Sequence, residues 1–444
     1  MSVSQPITTA TDYVKPFIAG SAKLGIIGQG YVGLPLAEAF AASGVHVLGF
    51  DVDTRKIEDV NRGVSYIGDV TTPNLARVVK SGHLEATADF SRLVECEAVS
   101  ICVPTPVEGK QPDLSYIDAA VASIVANPRA GQLIILESTT YPGTTTEHVL
   151  PKLEAGGRKV GTDFFLTFSP ERVDPGNPKY NVKNTYKIVG GVTPECTRRA
   201  VELYSHGLDH VMEVSSPTAA EMVKLLENSF RAINIGFINE FALNCRALDV
   251  DVWEVIEAAK TKPFGFMPFY PGPGIGGHCI PIDPLYLLWK LKSMGEDARF
   301  IGLADEVNCN MPHYTVRQIE AQLAADGKAL KGSKVLMLGV AYKQDIDDMR
   351  ESPALHVADL LVEAGAQVSY HDPHVPECDI ARVKQTSVDL TSEALSGADV
   401  AVIATAHNNV DYNFVVQHAQ CIFDAKNVLR RNAVQYQRGK VKRI

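Results

Sequence analysis

Several features that would place a chain quickly are missing from this sequence. Its 8 cysteines are scattered without a CxxC pair, so no disulfide framework is written into it, and the chain reads as reduced, cytoplasmic and carrying free thiols. No stretch approaches the ~18 consecutive apolar residues of a membrane span. The first twenty residues, MSVSQPITTATDYVKPFIAG, have neither a basic flank nor the apolar run of roughly 7–15 residues that a secretory signal needs. These absences predict a chain that is neither exported nor bound to a membrane. Basic residues are in deficit: 42 Lys and Arg against 52 Asp and Glu leave a formal charge of −10. No segment is basic enough to track a phosphate backbone, so nucleic acid is not an expected partner. The 12 histidines show no HxE or HExxH spacing, and no metal site is expected. Short-period repeats and low-complexity tracts are lacking too.

What is present is ample apolar material. The 444 residues are 45% hydrophobic and 21% charged, enough for roughly three compact domains at about 150 residues each. From Lys23, short β-branched runs alternate with helical stretches. KLGIIG, VHVLGFD, AVSICVP, LIILEST and FFLTFSP read as buried strands separated by crossover helices, the pattern of a parallel sheet covered on both faces. From Ser215 to about Ala259 the helical periodicity is sustained with almost no glycine, as in a long helix joining two halves. After the Pro/Gly-rich loop KPFGFMPFYPGPGIGGHCIPIDP, helix resumes to about Ala325, and KVLMLGVAY, QVSYHDP, DVAVIATAH and CIFDAKN repeat the strand alternation. The expected fold class is α/β: two doubly wound parallel-sheet (Rossmann-like) domains joined by a long-helix central domain. The expected divisions are a tail at 1–20 and domains at 21–213, 214–325 and 326–444.

Gly28, Gly30 and Gly33 form a GxGxxG directly after a strand and at the start of a helix. The first glycine permits the tight turn, the second lets backbone approach a pyrophosphate, and the third lets helix pack closely on strand. Asp51 ends the next strand, near the ~20-residue spacing of the carboxylate that binds a ribose 2′-hydroxyl. It would repel a 2′-phosphate, so the expected cofactor is NAD. Ligands of such sheets sit at the carboxyl ends of strands, where VPTP (Thr105), ESTTYPG (Glu137, Ser138, Thr139) and SPERVDPG (Glu171, Arg172) leave the third, fourth and fifth runs.

Cys279 follows a loop containing Gly272, Gly274, Gly276 and Gly277, with Asp283 four residues later. Glycine density exposes backbone N–H groups to a polar ligand, and a carboxylate one turn from a thiol can orient it or manage a proton. The other seven cysteines read as buried hydrophobes. Glu221, Lys224 and Asn228 are spaced i, i+3, i+7 along one helix face. Glu221 and Lys224 read either as a surface pair worth a few tenths of a kcal/mol or, since Leu225 and Leu226 follow, as partly buried groups with Lys224 available as acid or base. His278 reads as a loop residue with an electrostatic role.

The ordered set GxGxxG, VPTP, ESTTYPGTT, SPER, EMVKLLENSF, PGPGIGGHCIPIDP and GVAYKQDIDDMRESPAL resembles the UDP-sugar 6-dehydrogenases over the whole chain from Lys23. That resemblance implies Cys279 as the nucleophile that holds sugar C6 as a thiohemiacetal and then a thioester. It implies Lys224 and Asn228 at the oxyanion, Asp283 assisting proton transfer, Thr139 positioning a water and Glu171 as a base in hydrolysis. Gly28, Gly30, Gly33, Asp51, Thr105, Thr139 and Arg350 would hold NAD; Arg172, Lys224, Asn228, Tyr270, Gly274, Gly276 and Lys343 would hold the UDP-sugar. It also implies a homodimer, or a higher homo-oligomer, built through the long helix. SPERVDPG in place of SPEFLxEG, and KPFGFMPFYPGPG ahead of the cysteine, resemble the N-acetylhexosamine branch. The expected activity is four-electron oxidation of UDP-N-acetylglucosamine for surface polysaccharide precursors, with UDP-N-acetylmannosamine or UDP-glucose as alternatives. A two-electron hydroxyacid dehydrogenase needs neither Cys279 nor a third domain, and a non-catalytic sensor does not need Cys279, Lys224, Asn228 and Asp283 together.

Overall fold

The computed structural model describes residues 12–444 apart from positions 110, 175, 178 and 438. Of the tail expected over 1–20, residues 1–11 lie outside the described residues. Lys15–Ile18 form a short helix, and Phe17 is buried in the first core. The chain folds as two compact units, one running to Glu227 and including Leu285–Glu296, the other made of Asn228–Pro284 and Asp297–Ile444.

The first unit is built on an eight-stranded sheet: β1 (Lys23–Ile27), β2 (Val47–Phe50), β3 (Leu84–Thr87), β4 (Cys96–Ile101), β5 (Gln132–Leu136), β6 (Phe164–Phe168), β7 (Lys187–Gly191) and β8 (Val211–Glu213). Their spatial order is β8-β7-β6-β5-β4-β1-β2-β3. Neighbours are parallel except β6 and β7, where Thr167 and Phe168 face Gly191 and Gly190 in antiparallel register. Leu133 and Ile135 enter one core, and Ile134 and Leu136 enter the core on the other face. A strand covered on both faces has no polar side, which is why these segments read as continuous apolar runs. The strands at Leu84–Thr87, Lys187–Gly191 and Val211–Glu213 escape the sequence reading, each for its own reason. The first alternates buried with exposed residues, the second opens on a charge, and the third has three residues.

The second unit repeats the plan with β9 (Lys334–Leu338), β10 (Gln367–His371), β11 (Val400–Ile403), β12 (Ile422–Asp424) and β13 (Val441–Arg443), all parallel in the order β10-β9-β11-β12-β13. The main helices used below are α1 (Gly33–Ala42), α2 (Pro217–Ala247), α3 (Val252–Lys260), α4 (Asp283–Ser293) and α5 (Arg299–Ala325). The unit boundary falls within α2. Helical periodicity in the sequence runs on beyond α2, yet the helix stops at Ala247. Asp249 takes a left-handed φ of 56°, and the Asp251 carboxylate accepts the Trp253 N–H to cap α3. Short acidic side chains that bond nearby backbone compete with helix continuation. Among the described residues no helix is long and apolar enough to cross a membrane.

Both sheets use the same clasp where the first strand turns into its helix. The Gly28 N–H donates to the Phe50 carbonyl at 2.7 Å and the Gln29 N–H to Asp51 Oδ2 at 2.8 Å. In the second unit the Gly339 N–H donates to the His371 carbonyl at 2.9 Å and the Val340 N–H to Asp372 Oδ2 at 2.8 Å. Asp372 also accepts the Ala341, His374 and Val375 N–H groups and the ring of His407. Burial pushes this carboxyl up, but His407 and the amide donors outweigh it and hold the group down at about 2. The folded value lies below the unfolded one near 3.9, so its stabilisation is complete above pH ~4 and is lost as pH falls toward 2. Asp372→Asn is therefore expected to lower stability at pH 7 by about 2 kcal/mol, with the difference closing between pH 4 and 2. Urea unfolding read through Trp253 in a Trp289→Phe background measures it.

Candidate active site

The nucleotide end of the first unit lies at the carboxyl end of β1, where the strand order reverses. Gly28 has φ +93°, and a Cβ there would stand 2.5 Å from the Cys102 carbonyl oxygen; on Gly33 it would stand 1.8 Å from the Gly28 oxygen. These two glycines are required by packing. Gly30 faces open space, with nothing within 4 Å of an added Cβ, as close approach of a pyrophosphate requires. Val32 opens α1 with no side-chain cap, so the helix offers its first N–H groups to an anion. Asp51 is buried at the end of β2, accepts the Gln29 and Asp53 N–H groups, and has Lys56 Nζ at 3.3 Å. Arg55 is bound instead to Asp53. This donor set and open cradle fit a dinucleotide with a free ribose hydroxyl.

The loops after β4, β5 and β6 carry the other predicted residues of this unit. The Thr105 hydroxyl donates to the Thr139 carbonyl at 2.7 Å, and the Tyr286 hydroxyl donates to the Thr105 carbonyl. Glu171 Oε1 accepts the Arg172 and Val173 N–H groups at 2.6 and 2.8 Å, while Oε2 lies 3.4 Å from Lys187 Nζ. Burial pushes the Glu171 carboxyl up; Lys187, those two amides and Lys224 outweigh it, and the net displacement is downward. The Arg172 guanidinium is held by Glu227 at 2.5–3.2 Å and by the Tyr186 carbonyl at 2.7 Å.

On α2, the surface-pair reading of Glu221 and Lys224 is wrong: both are buried, as is Asn228 one turn beyond Lys224. Glu221 accepts the Gly143 N–H, the Thr145 N–H and the Thr145 hydroxyl at 2.6–2.9 Å, which fixes the start of α2 against the turn after β5. Burial pushes its carboxyl up.

In the second unit the Cys279 carbonyl accepts the Ile282 and Asp283 N–H groups at 3.1 and 2.8 Å. The thiol-bearing turn thus leads directly into α4. Asp283 is buried, and its Oδ2 accepts the Asn228 amide at 2.5 Å. The structure joins Asn228 to Asp283, a pairing that sequence spacing did not show. Cys279 itself is half-buried. The glycine loop before it packs on the AYKQDIDDMRESP segment. A Cβ on Gly276 would stand 2.6 Å from Tyr342 Cβ, and one on Gly277 2.8 Å from the Tyr342 ring. The Gly277 N–H donates to the Arg350 carbonyl at 3.1 Å. Gly274, with φ +135°, packs on Pro353. These glycines admit a neighbouring segment as well as exposing backbone. Lys343 is half-buried beside Tyr342, the Arg350 guanidinium is bound by Asp348, and the Tyr270 hydroxyl donates to Glu257 at 2.7 Å while its ring stacks on Trp253.

Two cations were missed. Lys187 opens β7 and lies between Glu137 and Glu171; the signal was a charge heading the apolar run IVGG. Lys426 follows β12, and its Nζ stands 3.0 Å from where a Cβ on Gly272 would be. Burial, with Arg431 nearby, pushes that ammonium down to about 8. A lysine just past the carboxyl end of a parallel strand was a readable sign. Asp345, His374 and His407 bring ligand-type atoms within 4.8 Å of one another, a grouping that their sequence spacing conceals. Both nitrogens of His407 are already engaged, Nδ1 by the Asp345 N–H at 2.9 Å and Nε2 by Asp372 at 3.0 Å.

Comparison with known proteins accounts for this arrangement. Residues 22–208 match the NAD binding domain of the UDP-glucose/GDP-mannose dehydrogenase family, 218–310 its central domain and 336–431 its UDP binding domain. A UDP-N-acetyl-D-mannosamine dehydrogenase of Escherichia coli (strain K12) is 36% identical over 428 residues, covering 92% of this chain and 99% of the relative. The solved UDP-D-ManNAc dehydrogenase from Pyrococcus horikoshii is similar with TM-score 0.86 and 34% identity over 95% of this chain and 99% of that one. An NDP-N-acetyl-D-galactosaminuronic acid dehydrogenase from Methanosarcina mazei Go1 gives TM-score 0.81 and 33% identity over 98% of each chain.

Proposed function

Because the chain belongs to the UDP-glucose/GDP-mannose dehydrogenase family, we propose that it is an NAD-dependent enzyme oxidising C6 of a UDP-N-acetylhexosamine to the uronic acid. On the sequence motifs alone UDP-N-acetylglucosamine is the expected substrate. The names of the Escherichia coli and Pyrococcus horikoshii relatives favour the mannosamine epimer, which we take as the first substrate to try. Its product is a uronic acid of the kind used as a surface polysaccharide precursor.

The reading rests on the Cys279 turn, whose Asp283 takes the Asn228 amide. Converting CH₂OH to carboxylate removes four electrons and adds one water oxygen, so two cofactor molecules are consumed and the aldehyde must be retained between steps. NAD, when bound, accepts a hydride at each oxidation. The Cys279 thiolate adds to the aldehyde carbon, and a second oxidation turns the resulting thiohemiacetal into a thioester. Asn228 keeps one amide proton for the oxyanion while the other holds Asp283, and Lys224 supplies a cation to the same charge. Thr139 orients the hydrolytic water, Glu171 takes its proton, and the thiolate leaves. Gly28, Gly30, Gly33, Asp51 and Thr105 hold the cofactor, and Arg350 is assigned to it by resemblance to the family. Arg172, Tyr270, Gly274, Gly276 and Lys343 are assigned to the sugar nucleotide; Lys426 joins them as a cation for the diphosphate. A cytoplasmic setting is supported by eight free thiols.

Phe230 and Phe237 on α2 and Phe300 and Leu303 on α5 are exposed, although the two helices pack closely where Gly236 meets Ala304. Isolated exposed hydrophobes are ordinary; four large ones on two helices that pack together support an interaction face. A second copy of this chain is the proposed occupant.

Purified enzyme should form two NADH per UDP-N-acetylmannosamine; one NADH, or turnover with UDP-glucose alone, would refute the assignment. Cys279→Ser should stop short of normal acid formation, as read by mass spectrometry. Lys426→Met should raise KM about tenfold or more, the loss expected for a charge-assisted hydrogen bond of ~1.5–3 kcal/mol, with kcat little changed. Phe237→Glu should convert the dimer to monomer in sedimentation; a wild-type monomer would remove the dimer proposal.

A further inference from the structure

In the first unit Lys187 is 4% exposed and Glu137 is fully buried, with Nζ and Oε2 2.5 Å apart. Glu137 is well supplied with donors: its other oxygen accepts the Ser100 hydroxyl at 2.8 Å and the Tyr204 hydroxyl. Glu171 stands 3.4 Å from the same ammonium on its other side. One buried cation is thus shared unequally by two carboxylates, of which the nearer already accepts three donors and the farther also interacts with Lys224. A general base must be ionised at working pH, yet must not be bound so tightly that it cannot take a proton. A full ion pair with Lys187 would over-stabilise the Glu171 carboxylate; no cation at all would leave a buried carboxyl protonated.

We propose that the buried Lys187–Glu137 pair is a positioning device for Glu171, in which Glu137 takes most of the ammonium charge and leaves Glu171 enough of it to stay ionised and aimed. The inference rests on Glu171 being the base in thioester hydrolysis. The groups facing Glu171 are Lys187, Lys224 and the Arg172 and Val173 amides; the Arg172 guanidinium is turned to Glu227. Facing Lys187 are Glu137, Glu171, the Tyr204 ring at 5.4 Å and the Cys102 thiol, which burial pushes up and keeps neutral.

The test is the pH dependence of carboxylate formation in single turnover with excess enzyme and both substrates, scanned from about pH 3 upward, because the Glu171 carboxyl is held below its ordinary value. Lys187→Met alone strands a buried Glu137 and can fail to fold, so the informative variant is Lys187→Met with Glu137→Gln, checked by thermal unfolding. It should move the acidic limb upward by about one unit or more, the effect of losing an opposite charge at this range. Glu137→Gln alone should move the limb the opposite way, because Glu171 then has the whole ammonium, and Lys187→Arg should restore the wild-type limb. A folded double variant with the wild-type limb overturns the inference and leaves a purely structural pair. Glu171→Gln separates the two readings: if that variant keeps the acidic limb, the base assignment fails and the inference with it; if the limb vanishes there but is unmoved in the double variant, the inference alone fails.

Discussion

A parallel sheet covered on both faces leaves its strand ends as the one place where backbone can meet a ligand, and both units of this protein are organised by how that end is tied. The first strand turns so sharply that its following amides face a carboxylate at the end of the neighbouring strand. In the first unit Asp51 receives Gln29, in the second Asp372 receives Val340. The two clasps then diverge. Asp51 keeps Lys56 nearby and borders the open cradle at Gly30, whereas Asp372 is filled by four amides and His407. One plan therefore yields an open turn beside Gly30 in one sheet and a turn closed on its carboxylate in the other.

Buried carboxylates are the recurring device of this acidic chain. Glu221 takes two amides and a hydroxyl, Asp424 takes the amides of Lys426, Val428 and Leu429, and Glu137 takes a lysine and two hydroxyls. A buried charge without such partners costs several kcal/mol; with them it fixes a turn in one geometry. The turns fixed this way include those after β5 and β12, at strand ends from which the residues proposed for catalysis and anion binding emerge. A formal charge of −10 is thus compatible with anionic ligands, because part of the acidic content is internal and serves to aim backbone donors and single cations such as Lys426.

The α/β class was legible because strands buried on both faces must be apolar throughout, and because GxGxxG, the glycine loop at Cys279 and the MRESP segment have few alternative uses. Four strands of the two large sheets were not legible. Lys187–Gly191 opens on a lysine, Leu84–Thr87 alternates at an edge, and Val211–Glu213 and Val441–Arg443 span three residues each. The stop of α2 at Ala247 was also hidden, since Asp249 and Asp251 end a helix through local geometry that a periodicity count does not register.

By itself the sequence determined the two sheets and the glycine turn after β1 and proposed the reactive side chains, because those follow from local pattern, spacing and resemblance. Only the tertiary structure decided their partners. Asn228 meets Asp283 across 55 positions of chain, Lys187 reaches Glu137 across 50, and Asp345 meets His407 across 62. Such contacts depend on which strand ends lie side by side, and no periodicity carries that information. Glu221 shows the difference most directly: its spacing from Lys224 suggested a surface pair, and the turn at Gly143–Thr145 made it an internal anchor.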